Sequence, residues 1–115
     1  HVYFVRYRFR PDRRGRAVVL SEFGGYGYRV EGHCFSEKTF GYKRAETAEQ
    51  LLNDYKKLYE TQIIPAKEQG LAAAVYTQLS DVEDETNGFV TYDRRVEKLP
   101  TEAVAALNRR LSDAT

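Results

Sequence analysis

The chain has 115 residues, 42% of them apolar and 30% charged, a balance that excludes a disordered chain and allows one domain with one modest core. A formal net charge of +1 gives no reason to expect a nucleic-acid partner, and no apolar run approaches the roughly 20 residues of a membrane span. Cys34 is the sole cysteine, which excludes an intrachain disulfide. The sequence holds no methionine and starts at His1 inside a strand-like run, so we expect a fragment or processed piece of a longer protein.

Residues 1–9 alternate. Val2, Tyr3 or Phe4, Val5, Tyr7 and Phe9 are interleaved with Arg6 and Arg8, and Arg10 follows, which predicts a strand with one wet, cationic face. Pro11-Asp12-Arg13-Arg14-Gly15 reads as a turn. Aromatics among arginines also occur in single-stranded nucleic-acid binders. The plainer reading is an edge strand and a solvated loop, as charge runs usually are.

Ala17-Val18-Val19-Leu20 predicts a strand buried on both faces. It stops at Ser21-Glu22, and Gly24-Gly25 breaks the chain just after. A carboxylate therefore stands where a buried strand emerges into a loop, the place where ligands bind in parallel α/β sheets and barrels. Glu22 is the candidate catalytic residue.

Residues 24–43 carry five glycines and the aromatics Tyr26, Tyr28, Phe35, Phe40 and Tyr42, too much for a mere connector. No Gly-Lys-Ser/Thr follows the glycines, so this is not a phosphate loop. His33-Cys34 lacks the further ligands of a metal site, and a packed or hydrogen-bonded histidine is expected instead.

Residues 48–68 predict a helix. Thr47 and Gln50 form a capping box, and Ala48, Leu51, Leu52, Tyr55, Leu58, Tyr59, Gln62 and Ile63 make one stripe. Pro65 predicts a kink and Gly70 a C-terminal cap. Leu71–Leu79 follows as a strand despite its alanines, because it is short and ends in Val-Tyr-Thr. Residues 80–85 are an acidic loop without calcium-loop spacing, expected to be solvated or locally hydrogen-bonded. Asn87-Gly88 predicts a tight turn, Phe89–Tyr92 a short extended piece, and Pro100-Thr101 the start of a last helix bearing Val104, Leu107 and Leu111.

Strands alternating with helices mean parallel βα units, but a (β/α)8 barrel needs eight of them and about 250 residues. This chain supplies at most a closing quarter.

Ser-Glu-Phe-Gly-Gly at 21–25, Ala-Val-Tyr-Thr-Gln-Leu-Ser-Asp-Val-Glu-Asp-Glu-Thr-Asn-Gly at 74–88 and Thr91-Tyr92-Asp93-Arg94 together resemble the end of the catalytic barrel of glycoside hydrolase family 2. That family includes β-galactosidases, β-glucuronidases and β-mannosidases, and the similarity runs from about Ala17 to Lys98. The resemblance implies an α/β fold, the C-terminal portion of a TIM barrel. Residues 1–16 would be a preceding strand and loop, 17–70 strand seven and its helix, and 71–115 strand eight, a loop and the final helix. It also implies that Glu22 is the nucleophile of a retaining β-glycosidase, β-galactosidase-like in class. Tyr76 would wall the sugar site where many members have tryptophan, Gln78 would contact the sugar, and His1 and Tyr3 would be the tail of a His-x-Tyr element. No cofactor or metal is implied.

The acid/base glutamate of the family sits in an Asn-Glu pair, which this chain lacks, so it is expected outside the chain. The implied partners are a carbohydrate substrate and the rest of the barrel, or self-association, with neither nucleic acid nor membrane. The isolated chain is expected to be inactive. The alternative is a non-catalytic barrel remnant that binds carbohydrate or a protein partner through Tyr26, Tyr28 and Tyr76.

Overall fold

The computed structural model describes residues 2–3, 7–37 and 43–113. His1, Phe4, Val5, Phe40 and Tyr42 lie outside the described residues, and with them most of the expected first strand. Among the described residues there are five strands: β1 (Val2–Tyr3), β2 (Val18–Gly24), β3 (Tyr26–Gly27), β4 (Lys43–Arg44) and β5 (Leu71–Thr77). The helices are α1 (Ala48–Leu58), which runs through a π-helical turn at Tyr59–Ile63 into α2 (Ile64–Gln69), and α3 (Thr101–Asp113).

The main sheet has the order β1-β2-β5, with both pairings parallel. β3 and β4 form a second parallel pair. Parallel neighbours need a crossover, and residues 48–69 supply it between β2 and β5 as the expected helix. Between β1 and β2 the described residues 7–17 contain no helix. Alternation persists there: Tyr7 and Phe9 are half-buried while Arg8 and Arg10 are exposed.

Thr47 caps α1 by accepting the Gln50 N–H at 3.0 Å. The reciprocal bond of a capping box is displaced by one residue, because the Gln50 side chain accepts the Glu46 N–H at 2.9 Å. The expected kink takes the form of the π turn. Pro65 has no N–H and its ring crowds the carbonyl four residues back, and the wider turn just before it accommodates both. Gly70 ends α2 at φ +124° and donates to the Lys67 carbonyl at 2.9 Å.

The apolar stripe of α1 and the π turn (Leu51, Tyr55, Leu58, Tyr59, Ile63) packs with Leu20, Phe23 and Leu71 of the sheet. At its centre Tyr55 meets Tyr59, Tyr76 and Phe89, with ring centroids 4.5, 5.3 and 5.6 Å away. Tyr76 stacks on Phe89 at 4.7 Å and meets the edge of Phe23 at 5.4 Å. Aromatic pairs at such distances add roughly 0.5–1.5 kcal/mol each beyond their buried area. Among the described residues, the opposite face of the sheet is much less covered. Val19 of β2 and Val75 of β5, on that face, are 53% and 55% exposed, so the expectation of a β2 buried on both faces does not hold at Val19. Among the described residues, no helix is long and apolar enough to cross a membrane.

Candidate active site at the carboxyl end of the parallel sheet

Leu20 pairs with Ala74 and Phe23 with Tyr76. Two residues of β2, Ser21 and Glu22, therefore stand opposite the single residue Val75, which makes a β-bulge. Because Leu20 and Phe23 both turn into the core, the bulge leaves Ser21 and Glu22 to the face opposite the helices. Glu22 is half-buried and engaged in an interaction of its own. Two glycines at positive φ follow: Gly24 at +87° and Gly25 at +88°. Gly25 donates to the Thr77 carbonyl at 3.1 Å, tying the exits of β2 and β5 together.

The remaining residues implicated by the sequence lie around this end in different ways. Tyr3 pairs with Gly24 through β1, so its backbone is beside the exit of β2. His1 lies outside the described residues. Tyr76 is in the aromatic cluster on the helix side, whereas strand alternation sets Glu22 on the other side. On the helix side the Tyr76 ring packs against Phe23, Tyr55 and Phe89. Its ring covers Gly24 so closely that a Cβ there would lie 2.3 Å from the ring Cε2, and burial raises its phenol well above the usual tyrosine range. Gln78 follows the cis Thr77–Gln78 peptide, and its Nε2 donates to Glu85 Oε2 at 3.2 Å and Asn87 Oδ1 at 2.5 Å. It fixes the loop after β5.

That loop is built on a buried ion pair that sequence reasoning missed. Lys98 Nζ lies 2.6 Å from Asp81 Oδ1 and donates to the Thr86 carbonyl at 2.9 Å, and both side chains are shut off from solvent. Asp81 Oδ1 also accepts the Gly88 N–H at 2.9 Å. Burial lowers the Lys98 ammonium below the usual lysine range, and the bond to Asp81 opposes that shift. Asn87-Gly88 is not a hairpin turn. Ser80 and Val90 bridge in parallel, and Gly88 is pressed against the Ser80–Asp81 backbone. Phe89–Tyr92 forms no strand, and Val90 alone makes bridges. The long block at 74–88 is therefore chiefly an architectural knot. Four carboxylates within the five residues 81–85 carry no periodic signal of which one is buried, so Asp81 did not stand out.

The loop after β3 docks on this knot. Tyr28 N donates to the Thr86 carbonyl at 2.8 Å, and the Ser36 hydroxyl donates to Asp84. His33 Nδ1 lies 2.7 Å from Asp93 Oδ2. The expected hydrogen-bonded histidine is what the structure shows. Among the described residues, no three His, Cys, Asp or Glu side chains gather in a way that would hold a metal ion.

No family model and no curated protein matches the chain.

Proposed function

We propose that this chain is the closing part of the catalytic barrel of a retaining β-glycosidase, with Glu22 as the nucleophile. The observation that carries this reading is the bulge opposite Val75, which leaves Glu22 at the carboxyl end of the middle strand of a parallel sheet, on the face opposite α1. The β1-β2-β5 order and the exposed Val19 and Val75 fit the inner wall of a barrel that continues beyond this chain.

In this reading the Glu22 carboxylate attacks the anomeric carbon. A second carboxyl about 5–5.5 Å away, from outside the chain, protonates the leaving oxygen and then takes a proton from water. Tyr76 acts indirectly, by seating Gly24 beneath its ring, and Gln78 acts by fixing the loop after β5.

The test uses the full-length protein carrying this chain, a panel of nitrophenyl β-glycosides and 2-deoxy-2-fluoro glycosides as covalent labels. Glu22→Gln is expected to lower turnover on the order of a thousandfold or more. The label is expected on the peptide containing Glu22. Retained turnover, or a label elsewhere, overturns the assignment. The placement of Tyr76 and Gln78 within the packing favours one other reading, a non-catalytic carbohydrate- or partner-binding remnant. Sugar binding without turnover, equal in wild type and Glu22→Gln, would support it.

A further inference from the structure

Two loops leave the carboxyl ends of the sheet, one through β3 and one after β5, and each contributes an aromatic ring and a polar side chain to one place. Phe35 and His33 come from the first, Tyr92 and Asp93 from the second. The Phe35 and Tyr92 rings meet edge to face, 5.2 Å between centroids and 61° between planes. They are 52% and 38% exposed. The His33–Asp93 bond engages Nδ1, so Nε2 is the imidazole atom left for a ligand. Asp93 is itself fixed, accepting from the Thr91 hydroxyl at 2.6 Å and the Arg95 N–H at 3.1 Å. Arg29 donates to the Ser36 carbonyl at 2.7 Å and holds the first loop in shape.

We propose that Phe35, Tyr92 and His33 form a platform for one sugar ring of a β-linked oligosaccharide, an outlying subsite on the same end of the sheet as Glu22; this rests on the glycosidase reading above. A pyranose offers C–H faces to a π surface and hydroxyls at its edge. Two exposed rings beside an oriented imidazole match both. A protein partner of ordinary affinity needs about 800 Å² on each side, far more than two rings supply. The platform is built before any ligand arrives, since both loops are stitched together by bonds that do not involve the two rings.

The test is an aromatic-resolved NMR titration of the full-length protein carrying this chain, its phenylalanine and tyrosine rings isotope-labelled, with cellobiose, lactose and β-1,4-mannobiose. Saturable shifts of the Phe35 and Tyr92 ring signals are expected with at least one sugar, at about millimolar affinity. Phe35→Ala and Tyr92→Ala should each weaken that binding about fivefold, and Tyr92→Phe should retain it. Phe35→Leu, which also removes the ring, replaces Phe35→Ala if that variant does not fold. Ring signals that stay unmoved by all three sugars, or affinity unchanged in both ring-removing variants, overturn the proposal. Glu22→Gln should keep the platform shifts, so a failed nucleophile and a failed platform give different results.

Discussion

Lys98 Nζ sits 2.6 Å from Asp81 Oδ1 in a place closed to water, and the same carboxylate receives the Gly88 N–H. A buried pair of this kind contributes little net stability, yet losing one partner strands the other charge. Lys98→Met is expected to destabilise the fold by about 3–5 kcal/mol in urea unfolding. Adding Asp81→Asn should recover a large part of the loss, because an amide oxygen still accepts from Gly88 and no charge remains. A double variant no more stable than Lys98→Met alone would contradict this account.

Three glycines separate backbone strain from crowding. Gly15, at φ +74°, has nothing within 4 Å of a would-be Cβ, so Gly15→Ala should cost only the left-handed backbone term, about 1–2 kcal/mol. A Cβ on Gly88 would lie 2.3 Å from the Asp81 nitrogen and the Ser80 carbonyl carbon, backbone atoms that cannot swing away. Gly88→Ala should cost about 3 kcal/mol or more. Gly24 combines φ +87° with the Tyr76 ring, and pairing Gly24→Ala with Tyr76→Ala should relieve the steric part but not the strain. Melting temperatures of the three single variants, ranked, check the order.

The Thr91 hydroxyl, and then His33, hold the Asp93 carboxyl at about 2, below its ordinary value of 3.8. Between those values the unfolded chain binds more protons than the folded one. The contribution of Asp93 is therefore complete above about pH 4 and is lost as pH falls through about 2. Asp93→Asn should flatten that part of the stability curve, measured as urea midpoints from pH 5 down to pH 2. An unchanged slope would remove Asp93 from the acid response.

The open sheet face offers Val19 and Val75 to water. The chain on its own is expected to self-associate through that face. Val19→Thr with Val75→Thr should shift sedimentation toward monomer while leaving the far-UV circular dichroism unchanged. A wild-type chain that sediments as a stable monomer counts against this use of the face.

Elements whose residues repeat at a fixed period were legible in the sequence. The stripe from Leu51 to Ile63 gave the helix, and Val-Tyr-Thr after Gly70 gave β5 in spite of three alanines. Pairing partners were not legible, since the bulge at Ser21–Glu22 exists only relative to Val75, far along the chain. Tyr76 shows the cost of that. Its place at a strand end was right, but which face it occupied depended on a register that only the folded sheet defines. Asp81 with Lys98, and His33 with Asp93, are likewise contacts between distant segments that no local pattern announces.

The pairing of β2 with β5 bears on how the molecule assembles. Pairing them closes a loop that spans residues 25–70, and the entropy of that closure is lost before the pairing contacts repay it. Contacts so far apart in the chain slow folding, whereas a capped helix forms locally and early. The rate-limiting barrier should then be the closure of β5 onto β2, and side chains that act only after that closure, those of the Asp81–Lys98 knot among them, should govern the unfolding rate rather than the folding rate.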